Sequence, residues 1–123
     1  MDKTKLLIID DEPGLVEMLT MRLEANDYQV ISASDGREGL DRARNENPDL
    51  IILDLMLPEI DGYKVCRMLK TDERYKQIPV IFFTARVQAS DIKSGEEAGA
   101  QAYISKPFEP DILLAKVAQL LKK

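Results

Sequence analysis

Apolar residues along this chain recur with two periods. Short runs of aliphatic and β-branched residues fall at positions 5–9, 28–33, 50–53, 79–83 and 102–105. Three of them, within LLIID, LIILD and VIFFT, show no apolar–polar alternation, which predicts strands covered on both faces. Between the runs the spacing becomes helical. Pro13 suits the first turn of a helix that carries Val16, Leu19 and Leu23 on one stripe. A second helix is predicted from Arg37 to Glu46, with Leu40 and Ala43 inward, and a third follows Gly62 with Val65, Cys66 and Leu69. The fourth, from Ala89 to Ala98, has Ile92 as its only large apolar residue and contains Gly95, which predicts weak packing and a helix able to shift. The fifth, after Pro110, aligns Leu113, Val117 and Leu120, and its final Lys122 and Lys123 complement the negative helix end.

Five strands alternating with five helices predict a three-layer α/β domain with a parallel sheet and right-handed crossovers. At 123 residues the chain reads as one domain, 1–123, without repeats or linkers. A hydrophobic fraction of 45% with 32% charged residues argues against disorder. No apolar stretch approaches the roughly 20 residues of a membrane span, and no signal-peptide pattern opens the chain. With a single cysteine, Cys66, a cytoplasmic location is expected. The absence of histidine excludes Ser-His-Asp and Cys-His catalysis, histidine-ligated zinc and a phosphohistidine-carrier role. A net charge of −5 argues against direct, sequence-independent nucleic-acid binding by this domain. Carboxylates are the chemical resource that remains.

These carboxylates lie where such a fold binds ligands, beyond the carboxyl ends of the strands. Asp10 and Asp11, followed by Glu12, come after the first run; Asp54 ends the third, Thr84 the fourth and Lys106 the fifth. Packed acids repel one another and are costly to bury unless a cation accompanies them. An isolated acidic pair at a helix start is more often a solvated loop end, but matching polar residues at four strand ends point to convergence. Clustered carboxylates suit a hard divalent cation such as Mg²⁺. Asp54 is then a candidate nucleophile toward phosphorus, with Lys106 and Thr84 placed to meet phosphoryl oxygens.

The segments IIDDEP, LIILDLMLPEIDG, VIFFTA and YISKPF, in this order and spacing, resemble the receiver domain of bacterial two-component response regulators over essentially the whole chain. The resemblance implies a flavodoxin-like, doubly wound (βα)5 fold with strand order 2-1-3-4-5. It implies a phosphorylation-activated signalling switch, not a turnover enzyme, in which Asp54 takes a phosphoryl group from a phosphohistidine. The donor partner would be a sensor histidine kinase or a histidine phosphotransfer protein. By the same match Asp11, Asp54 and the backbone carbonyl of Met56 hold Mg²⁺, and Asp10 reaches it directly or through water. Thr84 and Lys106 would contact the phosphoryl group, Tyr103 would be the aromatic switch, and Lys106–Pro107 would be cis. Met56 and Arg86 match two positions that tune phosphoryl lifetime. Met56 has no polar group to position water, so slow self-dephosphorylation is expected, over minutes or longer. A downstream protein partner would read the surface of the fourth helix, fifth strand and fifth helix.

One departure bears on architecture. Receivers of the largest winged-helix transcription-factor subfamily usually carry GADDY before the fifth strand, where this chain has GAQAY, with Gln101 and Ala102 in place of both acids. Lys116 also stands where that subfamily tends to have arginine. The expectation is a stand-alone receiver, or one from another architecture, monomeric when unphosphorylated. The alternatives are a non-phosphorylated binding module, whose mark would be a lost Asp54, Asp11 or Lys106, and a haloacid-dehalogenase-type phosphatase. The latter wants an acid where Met56 stands. An FMN carrier of the same fold would need a Ser/Thr-rich phosphate loop after the first strand, where this chain has acids.

Overall fold

The unbroken apolar runs become the strands of a fully sandwiched sheet in the computed structural model, which describes residues 3–85, 89–106 and 109–121. The strands are β1 (Lys5–Ile9), β2 (Gln29–Ala33), β3 (Leu50–Leu53), β4 (Val80–Thr84) and β5 (Ala102–Ser105). They alternate with α1 (Pro13–Ala25), α2 (Gly36–Glu46), α3 (Gly62–Lys70), α4 (Ala89–Glu97) and α5 (Pro110–Leu121). All strand pairs are parallel, in the order β2-β1-β3-β4-β5. This is the flavodoxin-like, doubly wound fold expected from the sequence.

Because side chains alternate across a strand, the sheet separates two cores. Leu7, Ile9, Ile51, Leu53 and Phe82 face α2, α3 and the end of α4. Leu6, Ile8, Ile52, Ile81 and Phe83 face α1 and α5, where Leu19, Leu23, Leu113 and Val117 meet them. Leu120 is only partly buried beside that cluster. Burying a Leu- or Ile-sized side chain contributes roughly 1.5–3 kcal/mol. The central strands therefore form a rigid floor for whatever sits at their ends.

Boundaries move where backbone chemistry requires it. Strand β4 starts at Val80, not Pro79, because proline has no N–H for the ladder; its carbonyl still accepts from Ile51 N–H at 2.9 Å. Two helices are started by aspartates: Asp35 accepts from Glu38 N–H at 2.8 Å and Asp61 from Lys64 N–H at 2.9 Å. Helix α4 packs through small and polar residues, in keeping with the weak packing expected of it. Ile92 is exposed, while Asp91, Gly95 and Ala98 are buried. The rings of Phe82 and Tyr103 lie so close that a Cβ on Gly95 would stand 3.2 Å from each. Gly95 thus allows close approach, and only small residues or a hydrogen-bonded carboxylate fit beneath this helix. Tyr63 O–H donates to the Asp91 carbonyl at 2.9 Å, and the Cys66 thiol to the Ala98 carbonyl at 3.4 Å.

Candidate functional site

Two backbone hydrogen bonds carry the sheet one residue past its strands and bring the acids together. Asp10 N–H donates to Ala33 O at 3.0 Å, and Asp54 N–H to Ile9 O at 2.9 Å. Both carboxylates are consequently buried at the carboxyl end of the sheet, 3% and 5% exposed. Lys106 reaches them from the end of β5, where its own N–H is tied to Thr84 O at 2.7 Å. Its ammonium lies 3.0 Å from Asp10 Oδ2, 2.9 Å from Glu12 Oε1 and 3.5 Å from Asp54 Oδ2. It also sits 5.5 Å above the Phe83 ring. Asp54 Oδ1, on its other side, accepts from Met56 N–H at 3.3 Å.

Burial raises the Asp10 pKa above the ordinary carboxylate value, and the Asp54 charge adds to this; hydrogen bonds from Lys106 and Glu12 N–H work against it. For Lys106, burial opposes the charge, but hydrogen bonds to Glu12 and Asp10 and the nearby carboxylates outweigh it, and its pKa rises. The acids are therefore partly compensated within the chain: one ammonium answers three carboxylates, leaving the cluster negative. Asp10, Glu12 and Asp54 each place an oxygen within 4.8 Å of the others. An all-oxygen, net-negative donor set of this size fits a hard divalent cation such as Mg²⁺.

The residues expected from the sequence do not all meet in the same way. Asp10, Asp54 and Lys106 converge; Thr84 is fully buried at the end of β4, in register with Ser105, and its carbonyl accepts from Lys106 N–H. Asp11 is exposed and stands outside the three-carboxylate group; it borders an open cavity of about 470 Å³ with Leu55, Met56 and Asp61. Met56 is 60% exposed and Ala85 is exposed, so the rim above Asp54 is open. Tyr103 is half-buried, its ring 6.0 Å from that of Phe82. Arg86 and Pro107 lie outside the described residues. In the sequence Glu12 is only the third acid of a run. Its bond to Lys106 spans 94 residues, and no local pattern announces it.

A profile of the response regulator receiver domain matches residues 6–118, the greater part of the chain. The chain belongs to that family. This receiver domain is 44% identical over 119 residues to the DNA-binding dual master transcriptional regulator RpaA of Synechocystis sp., covering 97% of the chain and 49% of RpaA. Identity is 42% over 119 residues to the alkaline phosphatase synthesis transcriptional regulatory protein PhoP of Bacillus subtilis, again 97% of the chain and 49% of PhoP. The chain thus spans about half the length of the curated relatives it matches. Its structure superposes on the chemotaxis response regulator CheY4 of Vibrio cholerae with a TM-score of 0.91 at 28% identity, covering 97% of this chain and 99% of that one. Response regulator receiver domains are signalling proteins whose general function is phosphorylation-based switching. Receiver domains generally bind Mg²⁺ at an acidic pocket and interact with histidine kinases. Among the described residues no helix is long and apolar enough to cross a membrane.

Proposed function

We propose that this receiver domain accepts a phosphoryl group on Asp54 from a phosphohistidine of a sensor histidine kinase or a histidine phosphotransfer protein. The observation that carries the proposal is a buried Asp54 with a lysine ammonium 3.5 Å from one oxygen, below an open rim. An Asp54 oxygen attacks phosphorus as the P–N bond breaks, and the bonding pair leaves with the imidazole nitrogen. Lys106, anchored through Thr84 O, supplies positive charge where the phosphoryl oxygens gather, and the Thr84 hydroxyl accompanies it. Asp10, Asp11, Asp54 and the Met56 carbonyl would hold Mg²⁺, which supplies further charge neutralisation when bound.

The output is a change in the surface of α4, β5 and α5. Support comes from Tyr103 stacked against Gly95 beneath α4, a helix seated on small residues and hydrogen bonds. Thr84 and Tyr103 form the switch pair. Met56, with no polar group on its exposed side chain, and Arg86 give a phosphoryl lifetime of minutes or longer. The domain acts as one receiver unit over residues 1–123, in the cytoplasm, monomeric before phosphorylation and without contacting nucleic acid itself. RpaA and PhoP are regulators of transcription about twice its length. Gln101 and Ala102, where the winged-helix subfamily has acids, favour a different output for this chain.

The test is intact mass after incubation with acetyl phosphate, with and without Mg²⁺, for wild type and Asp54→Asn. One added phosphoryl group that needs both Asp54 and Mg²⁺ is expected. No adduct, together with no beryllofluoride complex, would mean a binding module instead.

A further inference from the structure

Glu12 is the N-cap residue of α1, yet its side chain caps nothing. Asp35 and Asp61, at the starts of α2 and α3, both turn back to accept a helix N–H, as such residues do. The Glu12 carboxylate instead takes the Lys106 ammonium at 2.9 Å, its shortest contact to any of the three carboxylates. Resting on the phosphoacceptor reading of Asp54, we propose that Glu12 is a positioning residue that holds Lys106 back from Asp54. Lys106 then engages the incoming phosphoryl group only when Glu12 releases it.

The three carboxylates are unequal in their freedom to let go. A lysine ammonium has three N–H groups, and two short bonds go to Asp10 and Glu12 while the contact to Asp54 is long. The Asp10 side chain is 2% exposed and fixed by Glu12 N–H at 3.0 Å, so it cannot follow Lys106 outward. The Glu12 side chain is 61% exposed and has water as an alternative partner. Phosphoryl transfer adds negative charge on the Asp54 side of the ammonium. Lys106 can answer that charge by exchanging its most replaceable bond, the one to Glu12. The resting bond slows acceptance but keeps the ammonium ordered at the mouth of the site.

Rates of phosphoryl incorporation from acetyl phosphate, read by intact mass, test this in wild type, Glu12→Ala, Glu12→Gln and Lys106→Ala, and in Glu12→Ala combined with Lys106→Ala. With Lys106 present, loss of the Glu12 charge should speed acceptance about two- to fivefold, the scale of one partly exposed ion pair. In the Lys106→Ala background the same substitution should change nothing. Acceptance that is unchanged or slower in both single Glu12 variants overturns the proposal. So does an equal gain without Lys106, which would mean that Glu12 merely repels the anionic donor. Calorimetric titration with Mg²⁺ and no phosphodonor provides a readout independent of phosphorylation. A loss of less than about tenfold in Glu12→Ala, the scale of one nearby carboxylate charge removed, is expected, and a larger loss would make Glu12 a metal ligand and overturn the positioning role. If wild type takes no phosphoryl group at all, the receiver reading itself fails. A phosphorylated wild type matched by Glu12→Ala sinks only the role of Glu12.

Discussion

Two glycines near helix starts should respond to alanine in opposite directions. Gly62, the first residue of α3, lies against the acceptor strand: a Cβ there would stand 2.5 Å from Asp54 O and 2.8 Å from Leu55 Cα. Ordinary contact begins near 3.4 Å, so the added carbon overlaps the Asp54 carbonyl by about 0.9 Å. Both colliding atoms are backbone, in a segment held by Asp54 N–H to Ile9 O and Gly62 N–H to Leu55 O, each at 2.9 Å. Neither can swing aside as a side chain would. Overpacking of this kind costs about 2–3 kcal/mol, the upper part of its usual range, or roughly 6–12 °C in Tm. The displaced carbonyl belongs to the acceptor residue, so acceptance from acetyl phosphate should fall together with stability. Gly14, the second residue of α1, has nothing within 4 Å of its would-be Cβ. There alanine should raise stability by about 0.5 kcal/mol through helix propensity alone. Thermal melts of both variants, followed by far-ultraviolet circular dichroism, check this pair. A Gly62→Ala protein melting within about 2 °C of wild type would refute the packing argument.

Other substitutions probe the surroundings of the site. Burial pushes the Cys66 thiol up to about 11. The unfolded thiol ionises first, so the stability present below pH 9 should decline by about 2–3 kcal/mol as pH rises toward 11. Urea midpoints of wild type minus Cys66→Ala across that range should show this loss, and a flat difference would contradict it. Glu59 has a left-handed φ of 68°, with Ile60 N–H turned back to Pro58 O at 2.8 Å. Glu59→Gly should therefore gain about 0.5–1 kcal/mol, and a lowered Tm would show that the turn is unstrained. Gln101 Oε1 accepts from Val80 N–H at 2.8 Å, so Gln101→Ala should cost about 1–2 kcal/mol and Gln101→Glu much less. Equal chemical-denaturation midpoints for the two variants would remove that role.

The strands were readable because residues such as Ile51, Ile52, Phe82 and Phe83 are covered on both sides of a parallel sheet and leave unbroken apolar runs. Asp10, Asp54, Thr84 and Lys106 were readable as a set because parallel topology brings every strand's carboxyl end to one rim. Contacts that depend on shape across the fold were not. Ile92, the only large apolar residue of α4, is exposed, and the helix instead turns Asp91, Gly95 and Ala98 inward, with the rings of Phe82 and Tyr103 against Gly95. Glu12 and Asp11 are adjacent acids with no sequence feature to separate them. Only the direction in which the chain enters α1 decides which of the two meets Lys106.

The division of the core by the sheet has a mechanical consequence. Tyr103 packs with the α2–α3 layer, whereas its neighbours Ala102 and Ile104 pack with the α1–α5 layer. A rearrangement beneath α4 therefore reaches α5, in the opposite layer, through β5, whose side chains alternate between the two layers. Repacking Leu19 or Leu23 on α1 should leave the behaviour of α4 almost untouched, with effects that simply add. The fold thus ties α4 to α5 through one shared strand and leaves α1 outside that path.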